Sequence, residues 1–136
     1  MMKFKFLFAL IVAGVMGFSS TAALSHNTPP SHYHVGEIQP FRGLMCKSQE
    51  AAMHIFNTWI EVSVEEAKEV FLIYQGVKEC TYLVGTVAYF NEKITSSKAR
   101  YYDGKMRDVT VFSVSPVGDR KIVDFLLTWE DFGDSV

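Results

Sequence analysis

SVEEAKEVFLIYQGVKECTYLVGTVAYF, residues 63 to 90, changes its hydrophobic period in the middle. Up to Gly76 the apolar positions are Val64, Ala67, Val70, Phe71 and Tyr74, which line one stripe of an α-helix. Ser63 and Glu66 make the Ser-x-x-Glu capping box that opens such a helix, and Gly76 suits the position just past its end. From Lys78 the period is two. Residues 79–90, ECTYLVGTVAYF, are rich in β-branched and aromatic side chains, as a strand is.

Upstream, SQEAAMHIFNTWIEV (48–62) also has helical period. Ala52, Ile55, Phe56 and Trp59 share one face, while Glu50, His54, Asn57 and Glu61 share the other. Ser48 can cap its start, and Glu50 complements the dipole in the first turn. Ser63 therefore separates two helices. Before them RGLMC (42–46) reads as a short strand ending at Cys46. Downstream, RYYDGKMR (100–107) holds Asp103-Gly104, the type I′ hairpin dipeptide. VTVFSVSP (109–116) and KIVDFLLTW (121–129) follow as two more strands, joined across Pro116 to Asp119.

Helices followed by a meander predict an α+β domain over 41–136, with two helices packed on one face of a three- to four-stranded antiparallel β-meander. Cys46 and Cys80 are the only cysteines. An even count in an oxidising compartment reads as a disulfide, here tying the entry of the helical layer to the sheet. The chain-entropy model gives such a loop on the order of 3–4 kcal/mol.

The first residues point to that compartment. Lys3 and Lys5 precede an apolar run from Phe6 to Phe18, the length of a signal-peptide core, and Thr21-Ala22-Ala23 fits small-x-small cleavage. A spanning helix needs roughly 20 apolar residues. Residues 1–23 are therefore expected to be cleaved, giving a periplasmic or secreted product with no stable membrane insertion. Losing Lys3 and Lys5 leaves 11 basic residues against 15 acids, a net charge of about −4. A nucleic-acid binder would be basic, so no nucleic-acid partner is expected.

LSHNTPPSHYHVG (24–36) lies in an expected flexible arm, residues 24–40, that holds three of the four histidines and has no hydrophobic period. Cleavage after Ala23 would expose Leu24-Ser25-His26. A free α-amine, two amides and a third-position imidazole supply four planar nitrogens, which suits Cu(II) or Ni(II). The segment resembles the amino-terminal copper- and nickel-binding motif of unrelated secreted proteins. His32 and His34, two residues apart, can add ligands for these ions or for Zn(II). The arm carries no rigid set of residues to orient such ligands.

Catalytic signatures are sparse: the sequence has no Gly-x-Ser-x-Gly, His-Glu-x-x-His or Gly-rich phosphate loop. His54 follows Glu50 by four residues, a spacing that makes an exposed i, i+4 contact rather than a catalytic pair. The hairpin KARYYDGKMR (98–107) carries Lys98, Arg100, Lys105 and Arg107 against Asp103, about +3 on a body of about −7. Tyr101 and Tyr102 flank its turn, and tyrosine and arginine are enriched among binding hot spots. Adjacent strand residues point to opposite faces, so one tyrosine is expected to pack and the other to face solvent. The expectation is a small exported, non-enzymatic protein that binds a protein or envelope partner through Arg100, Tyr101, Tyr102, Lys105 and Arg107, with no cofactor. A metal-binding role for the arm is the alternative, with copper or nickel as its ion, and a hydrolase comes third.

Overall fold

The computed structural model describes residues 29–30 and 32–131. The expected signal peptide and Leu24, Ser25 and His26 lie outside them. In chain order the elements are β1 (Ile38–Cys46), α1 (Gln49–Glu61), α2 (Val64–Gly76), β2 (Cys80–Arg100), β3 (Met106–Pro116) and β4 (Asp124–Asp131). Two helices pack on a four-stranded antiparallel sheet, as an α+β chain should. The sheet also closes on itself: β4 pairs back to β1 through Leu44–Leu127, Met45–Leu126 and Cys46–Phe125.

Closure is made possible by β2. This strand has 21 residues, and its first half pairs with β1 while its second half pairs with β3. Three extra residues interrupt its ladders: Gly85 opposite β1, and Asn91 and Ile94 opposite β3. Each bulge bends the strand and raises its twist. Gly85 has φ +83°, a left-handed conformation that glycine adopts without strain.

The sheet is consequently buried on its inner face and, where the helices cover it, on its outer face as well. Inside the barrel lie Phe41, Ala88, Phe90, Phe112, Val114 and Leu126. On its outer face Ala99, Val109, Val111 and Leu127 meet Ala52, Ile55, Phe56 and Trp59 of α1 and Val64, Ala67 and Phe71 of α2. These helical residues are the stripes read from the sequence. β3 serves both cores, so residues 109–115 are continuously buried rather than alternating.

Local chemistry sets the helix ends. Ser48 Oγ accepts from the Ala51 N–H and Ser63 Oγ from the Glu66 N–H, at 3.2 and 3.1 Å. At the far end α2 runs through Gly76, and the left-handed position falls on Lys78 (φ 63°) instead. The Glu79 N–H reaches the Tyr74 carbonyl and the Lys78 N–H that of Gln75, a Schellman pattern.

Three boundaries differ from the sequence reading. β1 starts at Ile38, within the expected arm. Tyr33 stacks on Phe90 inside the barrel mouth (5.3 Å), its hydroxyl accepts from the Arg42 N–H, and the Gln39 amide bonds both backbone groups of His34. β4 starts at Asp124, because Lys121, Ile122 and Val123 lie in an exposed loop after Gly118 (φ +93°). The third concerns the hairpin turn. Its Tyr101 N–H bonds the Lys105 carbonyl and its Gly104 N–H the Tyr101 carbonyl. Gly104 is left-handed while Asp103 is not, so the turn is a three-residue type I loop with a glycine bulge and not type I′.

Cys46 and Cys80 are disulfide-bonded and are direct cross-strand partners, with Cα atoms 4.1 Å apart. The chain leaves the sheet at Cys46, builds both helices, and returns beside its point of departure. Cys46→Ala is expected to lower the unfolding free energy by about 2–5 kcal/mol in urea titrations. Gly43 marks a second constraint. A Cβ there would collide with the Leu127 carbonyl oxygen and come within 2.9 Å of Leu126 Cδ1. Gly43→Ala is expected to cost about 1–3 kcal/mol or more by overpacking, read from the same titration.

Candidate functional site

Four aromatic rings gather where the β2–β3 hairpin meets the helices. Trp59, in the last turn of α1, donates its indole N–H to the Arg100 carbonyl (2.9 Å), tying helix to hairpin. Val109 of β3 pairs with Trp129 of β4, which places that ring beside the hairpin base. Tyr101 lies 6.2 Å from Trp59 and 6.3 Å from Trp129, and the two tryptophans are 5.6 Å apart edge-on. Tyr102 leans on Tyr101 edge-on at 5.1 Å.

The two tyrosines therefore share one side of the molecule instead of pointing to opposite faces. Strand alternation stops at Tyr101, because Tyr102 is the first residue of the turn and its ring folds back. Tyr101 is half-buried, whereas Tyr102 is 50% exposed. Burial raises the Tyr102 phenol above its ordinary value of 10.0, reinforced by Tyr101 and by the carboxylates Glu65 and Glu69 of α2.

The four basic residues separate into different roles. Arg107 is 6% exposed, donates to Asp103 Oδ2 (2.7 Å), and sits over the Tyr101 ring at 4.8 Å. It braces the turn from beneath. Asp103 also accepts from the Lys105 N–H, at 2.9 Å. Lys98 pairs with Asp108 across the strands (3.4 Å), a carboxylate outside the window that gave +3, so the tip is about +2. Arg100 donates to the Gly104 carbonyl (2.7 Å) from an exposed position, and Lys105 is exposed beside it.

Two clefts flank the tyrosines and share Trp59, Val64, Tyr101 and Tyr102 as walls. The first, about 310 Å³, lies between α2 and the sheet. Ile55, Ala67, Phe71 and Leu72 line its helical side, Leu44, Tyr82 and Trp129 its strand side, with Lys68 at the rim. The second, about 410 Å³, runs under the α1–α2 corner past Glu65, Lys98, Arg100 and Met106. Exposed Leu72, Tyr82, Tyr102 and Met106 extend this apolar surface outward. The tyrosines and the core-stripe Trp59, which is buried as read, are legible in sequence, whereas Trp129, Lys68 and Tyr82 are not. Trp129 owes its place to register: it pairs with Val109, which pairs with Ser97, and the longer turn and the exposed loop before β4 that set this register are tertiary features.

The histidines stand apart from this site. His54 Nδ1 contacts the Tyr74 hydroxyl (2.9 Å) across the helix pair, not Glu50. His32 Nδ1 contacts Glu130 (2.8 Å), and His34 is held through its backbone by Gln39. Among the described residues no three His, Cys, Asp or Glu side chains converge as a metal site. No described helix is long and apolar enough to cross a membrane. No family model matches the sequence, and no curated protein or solved structure is significantly similar to it.

The unequal burial of the tyrosines has a measurable consequence. Tyr101→Ala is expected to cost about 2–3 kcal/mol of stability, below the ~3–5 kcal/mol of a fully buried ring. Tyr102→Ala should cost less than about 1 kcal/mol. In alkaline absorbance titration Tyr102→Phe should remove one phenol that ionises above pH 10.0.

Proposed function

We propose that this is an exported, non-enzymatic binding protein whose paired clefts receive an apolar group of a protein or cell-envelope partner. The observation that carries the reading is the aromatic wall: Tyr101 held rigid by Trp59, Trp129 and Arg107, with Tyr102 half-exposed upon it. A rigid ring loses little entropy on contact, and a concave apolar surface with few polar groups is the usual form of a binding site. Export is supported by the buried disulfide and by the signal-like first 23 residues. Arg100 and Lys105, beside Tyr102, would steer an anionic partner. Arg107 leaves the set of contact residues and serves as the support of Tyr101.

A photo-crosslinking side chain in place of Tyr102 tests the reading in an envelope extract, with the same group in place of Tyr89, on the surface covered by Arg120, as the control. A discrete adduct from position 102 and none from 89 is expected. With that partner purified, Arg100→Ala and Tyr102→Ala should each weaken binding by more than about 1–2 kcal/mol without lowering the melting temperature. Reversing the charge of Lys105 should mainly slow association, more so at low salt. Equal adducts from both positions, or unchanged affinity in every variant, would overturn the proposal.

A further inference from the structure

We propose that the cleft between α2 and the sheet takes the acyl chain of a single-chain amphiphile whose head is an anion, a carboxylate or phosphate, set over Lys68. This deepens the binding reading above and rests on it. The cleft volume of about 310 Å³ is at the small end of ligand sites, roughly 300–1,000 Å³. Taking the ~30 Å³ share of a water molecule as a measure, it holds about ten methylene-sized groups. Its walls are aliphatic and aromatic from Leu44 to Leu72, which suits a flexible hydrocarbon better than a polar ring.

Charge decides the head. Among the described residues Lys68 is the one charged side chain lining this cleft, and it makes no ion pair with any of them. No carboxylate of the described residues lines the cleft; Glu65 and Glu69 of α2 act on Tyr102, but Glu65 lines the neighbouring cleft and Glu69 lines neither. An aromatic cage for a quaternary ammonium is disfavoured for a second reason. Two of the candidate rings already face cations, Trp129 under Arg42 (5.5 Å) and Tyr101 under Arg107 (4.8 Å). A cationic head would meet Lys68 at the mouth and guanidinium groups behind the wall.

Both tryptophans of the chain line this cleft, so intrinsic fluorescence reports its occupancy. The oxidised protein is titrated below micelle-forming concentrations with laurate, dodecyl phosphate, dodecanol and dodecyltrimethylammonium. Laurate or dodecyl phosphate should bind saturably at one per chain, and a preference between them identifies the head. Dodecanol should bind at least tenfold more weakly and the ammonium more weakly still. Along a carboxylate series each added methylene should tighten binding about fourfold until the cleft is full near ten to twelve carbons, then no further. Lys68→Glu should weaken the anions at least tenfold and leave dodecanol within about twofold. Methyl shifts in NMR spectra should fall on Leu44, Val64, Ala67 and Leu72 and spare Ile73 and Val77.

Equal affinity for charged and neutral heads, affinity that climbs without a plateau, or shifts centred on Ile73 and Val77 would each overturn the proposal. So would saturable binding of a short aromatic peptide in the cleft with none of the amphiphiles. In that case a crosslink from position 102 would persist and the broader reading would stand. Loss of both would end both.

Discussion

Strand β1 reaches β4 only because residue 43 has no side chain. At that crossing a Cβ would run into the Leu127 carbonyl, and the next residues along, Leu44 to Cys46, make the three rungs that close the barrel. Beyond the crossing the strands diverge, and the Thr128 hydroxyl bonds the Arg42 carbonyl (2.8 Å) in place of a ladder bond. Without this contact the sheet would be an open meander with two edges, and Phe41, Phe90, Phe112 and Leu126 would have no interior to fill. Closure also places Trp129, one residue after Thr128, against Trp59 and the hairpin.

From that frame the candidate site follows in steps. The helices are one excursion between neighbouring residues of adjacent strands, pinned at its base by Cys46–Cys80. The pin holds the near end of the helical pair, and the Trp59 indole bond to Arg100 holds the far end. Between these two attachments α2 spans the sheet without filling the space beneath it, and that space is the cleft. Arg107 contributes from below by fixing the turn and one face of Tyr101. The proposed binding surface and the fold thus share residues: Tyr101 belongs to both, while Tyr102, Lys68 and Arg100 are supported by the fold and, in the proposal, meet the ligand.

The helices, their caps, the disulfide and the meander order were legible because each is a local pattern: 3.6-residue stripes, serine caps and paired cysteines. Closure was not legible. It depends on Gly43 being small where a strand distant in sequence passes, and on three bulges in β2, of which Gly85 alone carries a recognisable residue type. The hairpin was found, but its basic residues look alike in sequence. Cross-strand pairing to Asp108 and burial over Tyr101 separate Lys98 and Arg107 from Arg100 and Lys105, and both are tertiary facts. Tyr101 and Tyr102 differ in burial as alternation expects, but their rings share one side because the turn begins one residue before the Asp-Gly pair suggests. The arm was read as polar, yet Tyr33 is its one ring large enough to fill the barrel mouth.

The central claim is that barrel closure and the aromatic cleft stand or fall together. Amide and indole hydrogen exchange in Thr128→Val measures this most directly, since the variant removes one closure hydrogen bond, worth about 1 kcal/mol, without touching the cleft. If the account holds, the amides of Leu44 and Leu127, which face each other across the closure, and the Trp59 indole N–H lose protection by a similar factor. Faster exchange at Leu44 and Leu127 with an unchanged Trp59 indole would contradict it, and the cleft would then owe its shape to the helices alone.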